Sequence, residues 1–346
     1  MNEYRKKPLG TIAPRRLLYP ALLFLAAAAV AVNFGQGRAL WQTLARGRWW
    51  WVAVAAFLQL LFILNQSALY TAIYRMFGLP ASLGHFSLLV MAASFVSAVV
   101  PGGTISGTGL ILYDAQAKKL ELARSLLANL TYYLFDYLAF LATLTLAICY
   151  LLIRGNLTGY EIAAAVTLAA LVASIAFGLA FIARRPATIS AMVIGLMNRL
   201  ENLSFPRKLT GRIAEGKTRA NDFIWQLSSA LNTITRDHAA FLLATAHALL
   251  VEGIGLLQLE ALFLAFNQNP GPGRLLTGYA IGVLFMIISI TPQGVGFAEG
   301  AMTAAYASLG IPLEQAITVT FIYRGLSFWV PMLCGSLVLK RVVSQW

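Results

Sequence analysis

One helix-breaking segment occurs twice in this chain, each time between two apolar stretches. The first copy is Pro101-Gly-Gly-Thr-Ile-Ser-Gly-Thr-Gly109 and the second is Pro292-Gln-Gly-Val-Gly-Phe-Ala-Glu-Gly300. At a shift of 191 residues Pro101 meets Pro292, Gly103 meets Gly294, Gly109 meets Gly300 and Tyr132 meets Tyr323. Proline and clustered glycines interrupt a helix. In lipid, such a backbone is tolerated only where protein buries it or a watery cavity lines it. The surroundings are lipid-like. Of the 346 residues 59% are hydrophobic and 11% charged, against about 25% charged in a soluble domain. A polytopic membrane protein follows, and paired interruptions in its two halves point to a transporter's binding site.

The net charge of +13 raises nucleic acid as a partner, but nine of the 26 Lys and Arg lie between Arg184 and Arg236. Basic residues gather in cytoplasmic loops of membrane proteins, so the expectation is no nucleic acid. The three histidines and two cysteines show no metal-ligand spacing, and no cofactor or metal is expected. The basic start, Met1 to Arg16, and the apolar run behind it are too long for a signal peptide. They read as an uncleaved first helix with its N-terminus in the cytoplasm.

Six apolar runs are long enough to span: 17–34, 50–74, 121–153, 159–183, 238–266 and 313–339. Two shorter pairs, 85–100 with 103–118 and 275–291 with 297–310, fall short of a hydrocarbon core of about 30 Å. Each pair reads as a re-entrant hairpin, with two thin tilted spans as the alternative. Alternating the spans from a cytoplasmic N-terminus places 184–237, with its nine basic residues, inside. It leaves Arg38, Arg46 and Arg48 outside, among interfacial tryptophans. It also makes the unit helix–hairpin–helix run in opposite directions in the two halves. The expected fold is an all-α polytopic membrane protein with two inverted-topology repeats, about six full spans and two re-entrant hairpins. Residues 1–346 form a single transmembrane domain: 17–49 first helix and outer interfacial segment, 50–153 repeat 1, 154–237 linking helix and basic cytoplasmic linker, 238–340 repeat 2. Both termini lie in the cytoplasm.

Polar groups inside the bilayer are costly and mark function by default. Asn129, Tyr132, Tyr133 and Asp136 share one helix face, and their repeat mates are Thr320, Tyr323, Arg324 and Ser327. Both faces should look into one central cavity, with Asp136 and Arg324 in reach of each other, directly or through water or a headgroup. The two breaks add Gly102, Gly103, Ser106 and Thr108 on one side and Gln293, Gly294, Gly296 and Glu299 on the other. Glu299 reads either as a helix-start residue paired to Arg324 or as a headgroup or proton site. Glu252, mid-helix, reads as a coupling-proton carrier or as one end of an interhelical bond.

Thr291-Pro-Gln-Gly-Val-Gly-Phe-Ala-Glu-Gly300, Leu309-Gly-Ile-Pro312, Tyr323-Arg324 and Trp329-Val-Pro331 ahead of Gly335 together resemble the membrane region of the lysylphosphatidylglycerol synthase/flippase family. Pro101-Gly-Gly103 is similar to that family's first hairpin, and the resemblance covers about 50–340. It implies that Glu299 and Arg324 match the family's hairpin acid and helix base. Many members carry a basic residue in the first hairpin where this chain has Thr108, Gly109 and Leu110. Bifunctional members continue into a soluble aminoacyltransferase domain; the chain stops at Trp346, and synthesis of aminoacylated lipid is not expected of it. The resemblance and the repeats imply a lipid flippase or lipid-linked substrate transporter, not an enzyme, in a bacterial or archaeal cytoplasmic membrane. Its partner would be a membrane lipid or lipid-linked substrate. Homo-oligomerisation and a separately encoded lipid-modifying enzyme stay open. The alternatives are a membrane-embedded lipid (pyro)phosphatase built on Ser106, Glu299 and Arg324, and a non-transporting partner of a lipid-modifying enzyme.

Overall fold

The computed structural model describes residues 45, 47–100, 104–154, 159–201, 207–234, 238–289 and 291–344. The expected first helix at 17–34, most of the outer segment 35–49, and Pro101, Gly102 and Gly103 lie outside the described residues. Within them the chain is helical throughout, with no strand. Helix α1 is Trp49–Met76, α2 Leu83–Val99, α3 Thr104–Ala117, α4 Leu122–Arg154, α5 Gly159–Arg184, α6 Pro186–Glu201 and α7 Arg207–Ile234. The second half supplies α8 His238–Ala265, α9 Pro272–Ile288, a 3-10 turn Pro292–Gly294, α10 Phe297–Ser308, α11 Leu313–Arg324 and α12 Val330–Val343.

Among the described residues four helical stretches are long and apolar enough to span: α1, α4, α8 and the continuous Leu313–Val343. A fifth arises if α5 and α6, bent by 101° at Pro186, count as one. Inside Leu313–Val343 the turn Gly325–Trp329 widens to a π-helix. Pro331 follows it; proline has no N–H to donate and clashes with the carbonyl four residues back, so the helix opens there. Helix α2 ends because Val100 precedes Pro101 and takes an extended ψ of 133°, the conformation a following proline imposes.

Helices α1 and α8 pack along their whole length and run antiparallel. The Arg48 N–H donates to the Ala265 carbonyl at 2.7 Å, at one end. Gln258 Nε2 donates to Gln59 Oε1 at 3.1 Å and to the Ala55 carbonyl at 3.2 Å. Toward the other end His247 Nδ1 and Asn65 Oδ1 lie 2.6 Å apart, and Asn65 Nδ2 donates to the His247 carbonyl at 2.8 Å. These polar pairs satisfy one another away from water. The remaining contacts come in matched sets: α2 lies on α12 as α9 lies on α4, and α3 folds back on α2 as α10 does on α9. Small residues let backbones approach: a Cβ on Gly335 would collide with the Met91 carbonyl, and one on Gly278 with the Tyr306 ring. Outside, Phe57, Leu64, Leu146, Leu242, Leu257 and Leu337 are exposed as an apolar belt, which is costly in water and natural in lipid.

Candidate functional site

Between the halves lies a cavity of about 1030 Å³, bordered by α1, α2, α3, α4, α8, α9, the second break, α10, α11 and α12. Thr108, Tyr133 and Asp136 of the first half line it together with Gln293, Arg324 and Ser327 of the second; Glu252 of α8 joins them. With Tyr132 and Tyr323 of the same two faces, nine of the residues singled out from sequence share one chamber. Six others do not reach its lining. Ser106 is on α3 but off the cavity wall. Asn129 is turned away: its Nδ2 donates to Tyr74 Oη and to the Ser125 carbonyl, both at 2.8 Å. Gly294 is pressed on Met286, Gly296 starts α10, and Thr320 is fully buried within the helix packing. Glu299 stands behind Arg324.

That last arrangement holds the second break. Gln293, Gly294 and Gly296 take φ of 54°, 69° and 88°, a left-handed path that glycine adopts without strain. Glu299, in the first turn of α10, accepts the Gly296 N–H at 2.7 Å through Oε2 and Arg324 Nε at 2.8 Å through Oε1. Arg324 Nη2 donates to the Gln293 carbonyl at 2.8 Å, and its guanidinium lies 5.1 Å from the Phe328 ring centre. Both side chains are 5% exposed. A buried ion pair of this kind survives because its remaining donors and acceptors are filled. The first half has a neutral counterpart: Thr108 and Tyr133 share a hydroxyl–hydroxyl hydrogen bond. Thr108 and Tyr133 each lie 191 residues before Glu299 and Arg324, so two pairs at the same shift are each joined.

The family model described as the lysylphosphatidylglycerol synthase TM region matches residues 17–335. The chain belongs to this family. Curated relatives carry the name UPF0104 membrane protein. One from Pyrococcus horikoshii is 28% identical over 96 residues, 28% of this chain and 29% of the relative. One from Methanothermobacter thermautotrophicus is 24% identical over 113 residues, 33% and 32% of the two chains. One from Methanocaldococcus jannaschii is 30% identical over 93 residues, 26% and 28%. The matched stretch thus spans about three tenths of each relative. No solved structure matches the chain.

In this family member the direct contact expected as one way for Asp136 to reach Arg324 does not form. Arg324 spends its donors on Glu299 and the Gln293 carbonyl, while Asp136 borders the cavity with no direct bond to Arg324. Glu252 is 6% exposed; its carboxyl is hydrogen-bonded by Tyr279 of α9 and Thr143 of α4, as the interhelical-bond reading expects, while its Oε2 has no partner among the described residues. The Ser327 hydroxyl is likewise unpartnered. Sequence reasoning missed Gln59, Gln66, Tyr70, Tyr137 and Tyr279 on the wall. Tyr70 stacks on Tyr132 with ring centres 3.7 Å apart, and Gln66 Nε2 donates to Tyr132 Oη at 2.9 Å. The signal was there for the glutamines, which recur seven residues apart on one face of a span. Of the residues named for the phosphatase alternative, Arg324 borders the chamber and Ser106 does not. Among the described residues no three His, Cys, Asp or Glu gather as a metal site.

Proposed function

We propose that this chain is a lipid flippase, or a transporter of a lipid-linked substrate, that moves a polar headgroup through the chamber while the acyl chains stay in the bilayer. One observation carries the reading: the polar chamber is walled by both halves of the chain, within helices whose outer faces are apolar. The inverted repeat supports it. Helices α1 and α8 occupy equivalent places in the two halves and run antiparallel, which a two-fold axis in the membrane plane requires. The joined pairs Thr108–Tyr133 and Glu299–Arg324 fall in repeat register. Helices α2 and α9 have 17 residues each, or roughly 25 Å of rise, which favours re-entrant hairpins over full spans. The membrane would be a bacterial or archaeal cytoplasmic membrane, with both termini inside and 17–34 as the sixth span.

The test is reconstitution into vesicles of phosphatidylethanolamine and phosphatidylglycerol carrying trace acyl-labelled fluorescent lipids of defined headgroup. A membrane-impermeant reductant then bleaches whatever reaches the outer leaflet. Protein-containing vesicles should bleach beyond the outer-leaflet fraction for at least one headgroup. Bleaching that stops where protein-free vesicles stop, for every headgroup, rejects the proposal.

A further inference from the structure

The fixed charges of the chamber do not balance. Arg324, Asp136 and Glu252 are its Arg and carboxylate members. The charge of Arg324 is already offset by Glu299 at 2.8 Å. That leaves two acids facing one cavity with no basic partner among the described residues. Glu252 is buried, and its Oε2 is unpartnered on the cavity side of α8. Tyr279 of α9 and Thr143 of α4 hydrogen-bond its carboxyl, and Asp136 of α4 and Tyr323 of α11 line the same cavity. Around Asp136 stand Tyr132, Tyr133 and Tyr137 of its own helix. Helix α1 adds only uncharged groups to the wall, Gln59, Gln66 and Tyr70 among them, while α5 and α7, which also pack on α4, add none. On α8 itself His247 is engaged with Asn65.

Two carboxylates that face one cavity without a cation to neutralise them do not both stay ionised cheaply, because each loses hydration and each repels the other. A proton is the smallest charge that relieves both costs. The two acids come from opposite halves of the chain, so a movement that opens the chamber first to one side and then to the other exposes the pair to each solution in turn. We infer that Asp136 and Glu252 share one exchangeable proton and that its uptake from one side and release to the other drives the transport cycle. The step balances simply: a carboxylate takes a proton from water on one face to become a carboxyl, and returns it to water on the other. The driving role rests on the flippase reading; the shared proton does not.

The experiment has two arms, so that the two can fail separately. First, an infrared titration of the purified full-length protein reads the C=O stretch of a protonated carboxyl from acidic to alkaline buffer. Wild type should show a titrating band that Glu252→Gln removes and Asp136→Asn shifts in midpoint. Identical titrations in wild type and both variants overturn the shared proton, as does a band governed by sodium and indifferent to pH. Second, the vesicle assay is run with a pH gradient imposed in either polarity. The ratio of bleaching rates between polarities should be several-fold in wild type and fall to one in Glu252→Gln. Lipid movement in wild type that ignores both polarities overturns the driving role while the flippase reading stands. Absence of lipid movement with the infrared band intact rejects the flippase reading, and the driving role with it, and leaves the shared proton supported.

Discussion

At the residue scale the decisive pair is Glu299–Arg324. Replacing Arg324 by Ala strands a carboxylate that is 5% exposed, which should lower stability by about 3–5 kcal/mol. Arg324→Lys should recover little, since an ammonium cannot reach Glu299 and the Gln293 carbonyl with the same planar fork. Thermal unfolding in detergent checks both; a loss under about 1 kcal/mol would mean the pair is solvated. The neutral pair behaves differently. Thr108→Val and Tyr133→Phe should each cost on the order of 1 kcal/mol, and the double variant less than their sum, because they break the same bond. Additive losses would say that Thr108 and Tyr133 act apart. The Glu299–Arg324 pair was legible in the sequence, since an acid just after a glycine-rich break and an arginine on the next span have few other ways to be neutralised in lipid. The turning of Asn129 was not legible. It shares a face with Tyr133 and Asp136, but Tyr74 of another helix claims its amide, and no local pattern announces a partner 55 residues away.

In 50–183 and 238–339 the helices followed from apolar runs and breakers, with observed ends within a few residues of the expected ones, whereas the stretch read as a basic linker forms α6 and the 28-residue α7. What one-dimensional pattern could not give is where a span changes its winding. The stretch 313–339 reads as one helix, yet Gly325–Trp329 is a π turn, forced by the conflict between Pro331 and the carbonyl of Ser327. Helix crossings are equally hidden, although glycines hint at them. Gly335 lies where α12 meets the backbone of α2 at Met91, while Gly109 has nothing within 4 Å of where its Cβ would be. Gly335→Val should therefore destabilise by about 1–3 kcal/mol through overpacking. Gly109→Ala should be neutral or gain up to about 1 kcal/mol in helix propensity. Parallel melting curves of the two variants decide this, and equal shifts would remove the α2–α12 crossing as the reason for Gly335.

On the scale of the whole molecule, the chain repeats its polar positions at one fixed shift, and this made a second half visible before any coordinates. Alternating the spans along the sequence made that half point the opposite way, and the antiparallel seating of α8 on α1 bears on the same question. The repeat could not reveal how many tyrosines the two halves bring to one wall, because those come from α1, α4, α9 and α11 and obey no common spacing. If the halves are inverted, the two breaks open to opposite solutions. Ile105 and Gln293 both border the chamber near their respective breaks. In a background with the exposed Cys149 and Cys334 replaced by Ser, Ile105→Cys and Gln293→Cys should react with a small charged thiol reagent from opposite faces of sealed vesicles. Because the chamber is continuous between them, saturating one site with a bulky reagent should also slow labelling at the other. Reaction of both cysteines from the same face only would exclude the inverted arrangement, whatever the cavity transports.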